Sequence, residues 1–164
     1  MPKGRPFRLP GFRTWVGEIT QVTAREAAKE VVKELIVLGP WYSGQFAKNW
    51  VVRAGDVRIP AVVPQESKIK TPRVEIPLPV ISSLRGTGAK KNIGYSIGNR
   101  TEYRNIALDL VEGRIKNPEK ASAPQDWYRT YAEGGGLVST LKKATGIAAQ
   151  DPKIRGFKGK ETDE

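Results

Sequence analysis

TWVGEITQVTAREAAKEVVKELIVL, residues 14–38, followed at once by Gly39-Pro40, is the stretch on which the fold turns. Its apolar residues recur every three or four positions, the period of a helix, and Gly-Pro cannot continue one. At about 100° per residue, Trp15, Ile19 and Val22 share one face. Ala24, Ala27, Ala28, Val31, Leu35 and Leu38 cluster on nearly the opposite face. The apolar stripe therefore changes sides near Thr23. Thr23-Ala24-Arg25-Glu26 also has the spacing of a capping box, with Val22 placed to staple against Ala27. Three arrangements fit: two helices that meet at Thr23, one long helix whose first half is offered to another molecule, or a kinked surface helix.

Outward from that helix the pattern turns to strands and loops. Trp50-Val51-Val52-Arg53-Ala54 reads as a strand, which Asp56 to Val63 either continues or returns from after a turn at Ala54-Gly55-Asp56. Prolines at 60, 64, 72, 77 and 79 confine the next stretch to edge strands or extended loop. Residues 58–91 are expected to form a long projecting hairpin or loop, ending in Arg85-Gly86-Thr87-Gly88-Ala89-Lys90-Lys91. Asn92 to Gly98 alternates Ile93, Tyr95 and Ile97 on one side, the period of a strand. A short helix is expected from Thr101 to Glu112, closed by Gly113, with Tyr103, Ile106, Ala107, Leu110 and Val111 on its buried face. Gln125 to Ala132 and Leu137 to Lys143 read as helical or irregular pieces hinged at Gly134-Gly135-Gly136. The expected fold is α+β: a long N-terminal helix on a small antiparallel sheet, a short helix, a C-terminal helical or irregular segment and a Pro-rich insertion. Residues 14–150 form the domain, 1–13 a basic arm and 151–164 a flexible tail.

Composition narrows the chemistry. The 164 residues suit a single domain, and 17 glycines and 12 prolines beside 38% apolar residues imply much extended backbone around a modest core. There is no cysteine and no histidine, which removes thiolate nucleophiles, Cys- and His-ligated metals and the Ser-His-Asp arrangement. A net charge of +11 implies an anionic environment, whether nucleic acid, an acidic protein surface or a membrane. No window is apolar enough to span a membrane, and no secretory signal opens the sequence.

The remaining candidates for chemistry are weak. Gly134-Gly135-Gly136 lacks the Gly-Lys-Ser/Thr of a phosphate loop. Gly86 to Lys91 is a better anion cradle, with a charged, solvated loop tip as its plainer reading. Asp109 and Glu112 are two carboxylates without further oxygen ligands, a poor cation site. The sequon Asn99-Arg100-Thr101 is idle in a chain without a secretory signal. Trp41, Tyr42, Phe46, Trp50, Tyr95, Tyr103, Trp127, Tyr128 and Tyr131 could stack on bases, but core and interface roles suit their positions better. No catalytic, cofactor or metal residues are assigned.

Three stretches, taken in order, resemble the tail-completion or neck proteins of long-tailed bacteriophages, minor structural proteins of the head-tail junction. Gly39-Pro40-Trp41-Tyr42-Ser43-Gly44-Gln45-Phe46-Ala47-Lys48-Asn49-Trp50 is similar to that family's Pro-Val-Asp-Thr-Gly-Arg box leading into a strand-opening tryptophan. Here Trp41-Tyr42-Ser43 stands for Val-Asp-Thr and Gln45 for Arg. Tyr95 to Tyr103 with Leu110-Val111-Glu112-Gly113 is similar to its strand, Asn-rich turn, tyrosine and Glu-x-Gly. Ser122-Ala123-Pro124-Gln125-Asp126-Trp127 is similar to its Ser-x-Gln-Ala-Pro segment. The resemblance implies a virion protein without enzymatic activity or cofactor, assembled as a homo-oligomeric, sixfold ring around the DNA channel between portal or adaptor rings and tail-terminator or tail-tube rings. The residues expected at subunit contacts are Trp15, Ile19, Val22, Trp41, Tyr42 and Tyr103. Those expected to meet DNA or a partner ring are Lys3, Arg5, Arg8, Arg13, Lys90 and Lys91. The competing reading is a basic nucleic-acid-binding module, using the same arm and loop with Lys153, Arg155, Lys158 and Lys160. In either reading no membrane is engaged.

Overall fold

The computed structural model describes residues 12–41, 44–62, 76–82, 94–109, 123–124 and 126–155, with backbone alone at 12–18, 106, 109 and 153. The architecture is α+β. Helix α1, Phe12–Leu38, is unbroken and about 40 Å long at 1.5 Å per residue. A single turn α2, Gln45–Lys48, leads into strand β1, Trp50–Ala54, which pairs antiparallel with β2, Tyr95–Asn99. Then follow α3, Arg104–Asp109, α4, Trp127–Glu133, α5, Gly136–Ala148, and a last turn α6, Pro152–Arg155.

Of the three arrangements open at Thr23, the meeting of two separate helices is excluded, because one helix runs through that residue. Thr23 and Glu26 lie inside that helix, so the capping-box spacing marks no helix start, and Phe12 and Arg13, assigned to the arm, are helical. The buried stripe runs through Ala28, Val31, Val32, Leu35 and Ile36, while Ala24 and Ala27 are half-buried and Leu38 is exposed. This face meets the sheet, with Phe46, Ala47, Trp50, Val52, Ala107, Ala123, Trp127 and Tyr131 completing one core. Along β1 the alternation is clean: Trp50 and Val52 face the core, and Arg53 faces out.

A second layer lies along α1. Gly135, at φ +95°, turns the chain between α4 and α5, and the Tyr131 hydroxyl donates to Thr140 Oγ1 at 3.2 Å across that corner. Burial raises the Tyr131 hydroxyl above the ordinary 10, and α5 packs along α1, where Lys143 reaches Glu30. Glu30 is 1% exposed, between Lys33 on its own helix and Lys143 Nζ at 2.9 Å. Burial, the largest single influence, raises its carboxyl. The hydrogen bonds and charges of Lys33 and Lys143 together outweigh it, and the net is a pKa below the ordinary 4.5.

Several expectations need correction. Asp56 to Val63 forms no strand over its described part, residues 56–62: Gly55, at φ +86°, ends β1 and the chain crosses the sheet instead. The Val57 amide donates to Ser96 Oγ, Ile59 packs over Gly98, and the Val62 amide donates to the Arg100 carbonyl. Within the 58–91 insertion, Ile76 and Ile81 pack against the core and the Tyr95 hydroxyl donates to the Ser82 carbonyl at 2.8 Å, while Leu78 and Val80 between them are exposed. Residues 63–75 and 83–91 lie outside the described residues. The third helix starts at Arg104, later than expected, because Asn99 and Thr101 are tied into a turn ahead of it. The tail assigned from Asp151 opens with a helical turn, whose Ile154 and Arg155 amides donate to the Asp151 carbonyl.

Candidate assembly surface

The three family-like stretches, far apart in sequence, meet at one side chain. Phe46 is buried, with ring centroids 5.5 Å from Trp50, 6.3 Å from Tyr103 and 6.3 Å from Trp127. The first stretch makes this possible by a sharp descent from α1. Gly39 sits where a Cβ would come within 2.7 Å of the Leu35 carbonyl and 3.4 Å of both Phe46 and Trp127. Gly44 takes φ +81°, a conformation that side chains resist, and its carbonyl accepts from the Lys48 amide to close α2.

The second stretch locks onto the first through Asn99. Its Nδ2 donates to the Phe46 carbonyl at 2.6 Å, and its Oδ1 accepts from the Thr101 amide and hydroxyl at 3.0 and 2.7 Å. Arg104 Nη1 donates to the Ile59 and Asn99 carbonyls at 2.7 and 3.0 Å. The sequon is thus a buried structural knot, and its Asn99 and Thr101 are closed to solvent. The third stretch docks by Trp127, whose Nε1 donates to the Ala107 carbonyl at 2.9 Å. Every motif residue so placed supports geometry. Among the described residues, no cluster of three carboxylates or other metal-type ligands occurs.

The residues expected at subunit contacts divide. Ile19 and Val22 are half-buried on the first half of α1. Trp41 and Tyr103 are half-buried at the rim of the core and pack partly against it. Tyr42, Lys3, Arg5, Arg8, Lys90 and Lys91 lie outside the described residues, and of Trp15 and Arg13 the structure gives the helical backbone alone. Of the nine aromatics considered for base stacking, Phe46, Trp50, Trp127 and Tyr131 are core, while Tyr128 is the most exposed of those described.

Sequence reading missed the apolar surface beside β1. Val57, Val62, Leu78 and Val80 are all exposed, Val80 by 90%. With Val51 to Ala54, Pro79 and Ser82, the residues Val57 and Val80 border a groove of about 360 Å³. A second hollow of about 220 Å³ lies by β2, among Ile59, Ile97, Arg104, Leu108 and Tyr128. Val138 and Leu141, three apart on α5, form a smaller apolar patch. The signal for the groove was present in the alternation of Ile76, Leu78 and Val80 with Pro77 and Pro79, but proline density had marked the stretch only as loop.

No described helix is long and apolar enough to cross a membrane. Comparison of the chain with protein-family models, with curated proteins and with solved structures finds no match.

Proposed function

We propose that this chain is a structural subunit of a bacteriophage virion, assembled in the host cytoplasm as a homo-oligomeric, sixfold ring at the head-tail junction. One observation carries the reading. The three stretches that resemble tail-completion and neck proteins converge on Phe46, and each contributes a scaffold element to the same knot. A resemblance scattered over unrelated surfaces would have no such coherence. The chemistry agrees, because a chain without histidine or cysteine has few routes to catalysis. Its work is geometric: copies close a ring, and arms and loops reach the portal-side or tail-side rings around the DNA channel.

The purified protein, mixed with DNA-filled heads or with tail tubes, is expected to form rings at the open end, visible by negative-stain microscopy and countable by mass photometry. Absence of rings and of attachment would overturn the reading. The net charge of +11 favours one other reading, a nucleic-acid-binding module. That module would bind duplex or single-stranded DNA tightly by itself, with affinity falling steeply with salt. Filter binding at two salt concentrations separates the two readings, and the ring subunit is expected to bind weakly at moderate salt.

A further inference from the structure

The register of the sheet shows which of its backbone groups are used. Pairing of Trp50 with Asn99, Val52 with Ile97 and Ala54 with Tyr95 alternates with Val51–Gly98 and Arg53–Ser96. The bonds flanking the ladder, Arg100 N–H to the Asn49 carbonyl and Gly55 N–H to the Gly94 carbonyl, fix the hydrogen-bonded pairs as the odd-numbered residues of β1. The N–H and C=O groups of Trp50, Val52 and Ala54 therefore point away from β2. None has a hydrogen-bond partner among the described residues, and Val52 and Ala54 line the groove beside β1 while the Trp50 and Val52 side chains sit in the core. A two-stranded sheet is marginal by itself. Unlike most natural edges, this one carries no proline or bulge along β1.

The groove of about 360 Å³ runs along this edge. On its far side lies Ile76-Pro77-Leu78-Pro79-Val80, whose alternation is itself informative. In an extended strand, successive residues direct their backbone groups to opposite edges. Prolines at 77 and 79 leave one edge without donors, while Ile76, Leu78 and Val80 keep N–H and C=O together on the other. Such a segment can join a sheet but cannot extend it. In its own chain it pairs with nothing among the described residues, and Leu78 and Val80 are 37% and 90% exposed.

We propose that the open edge of β1 accepts residues 76–80 of a second copy of this chain as a third strand. The two edges complement each other: three residues of β1 without edge partners among the described residues, and three on a one-sided segment whose Leu78 and Val80 are exposed. The inference deepens the assembly reading by naming the surfaces that meet. The pairing is heterologous, so repetition closes a ring, and reciprocal exchange closes a dimer.

The absence of cysteine makes the test clean. Ala54→Cys and Leu78→Cys chains are prepared separately, mixed and mildly oxidised, with Lys142→Cys as the control partner for Leu78→Cys. The 54–78 disulfide between copies is expected in roughly tenfold excess over the control, and Val80→Pro in the Leu78→Cys chain is expected to remove about that excess by deleting one edge donor. Val80 is exposed, so this variant keeps the core, which circular dichroism checks. Equal yields in the two mixtures would overturn the proposal. So would a double Ala54→Cys, Leu78→Cys variant that closes only within one chain at every dilution, because the segment would then cover its own strand. Disulfide-linked species of the double variant that stop at the dimer leave the pairing standing and remove the ring. Rings on heads or tails without the 54–78 disulfide do the reverse.

Discussion

The two edges of the small sheet differ in how completely they are finished. Beside β2, side chains tie the chain down around the end of the strand: Asn99 donates to the Phe46 carbonyl, Arg104 donates to the Asn99 and Ile59 carbonyls, and Ile59 covers Gly98. Beside β1, the backbone groups of Val52 and Ala54 that point away from β2 have no partner among the described residues, and both residues line the groove bordered by Val57 and Val80. The end of β2 is thus held by side-chain hydrogen bonds, whereas none reaches Val52 or Ala54 of β1 among the described residues. The difference teaches where the subunit keeps its own shape and where it has left shape to be completed by a neighbour.

If the β2 side is the subunit's anchor, damage there should be felt first as lost stability. Phe46→Ala removes the ring on which all three stretches close, and is expected to destabilise the fold by about 4 kcal/mol, read by chemical denaturation. A loss below about 1 kcal/mol would mean the convergence is incidental. Asn99→Ala leaves the Phe46 carbonyl and the Thr101 donors without their partner, and about 2 kcal/mol should be lost. A near-neutral result would show that the knot is not what anchors the edge.

The helical layer sharpens the comparison through pH. The Glu30 pKa is lower in the folded chain than in the unfolded one, so the stability it contributes is fully present above about 4.5 and fades as pH falls through the folded value. Lys143→Ala is expected to weaken that acid dependence, with only a small loss of stability at neutral pH because Lys143 is itself exposed and Lys33 remains. Unchanged acid dependence in the variant would remove Lys143 from the account. On the β1 side the expected stability effect is smallest: Val80→Pro should alter the unfolding free energy by less than about 0.5 kcal/mol while weakening self-association roughly tenfold. A variant that instead unfolded would place residue 80 in the body of the subunit.

How far the sequence spoke follows the same division. The long helix, strand β1 and the strand ending near Asn99 were legible because each buries one periodic face, while the two glycine-hinged C-terminal pieces, readable only as helical or irregular, are helices. The false start at Thr23 arose because a capping box is a local spacing, whereas continuity through it was decided by packing on either side. The descent of 57–62 across the sheet was not legible, since it depends on Ser96, Gly98 and Arg100, some forty residues away. The knot at Asn99 was read as an idle sequon for the same reason. The open edge was invisible because main-chain satisfaction depends on register, which composition does not encode.

The most direct measurement is hydrogen exchange of the β1 amides, residue by residue, in dilute protein and again at concentrations or with partners that drive assembly. In the dilute subunit, Val51 and Arg53, which face β2, should be protected, while Val52 and Ala54, which face the groove, should exchange quickly. On assembly, protection should appear at Val52 and Ala54. Protection of those two amides in the isolated chain, or none on assembly, would contradict the claim that this edge is where one copy meets the next.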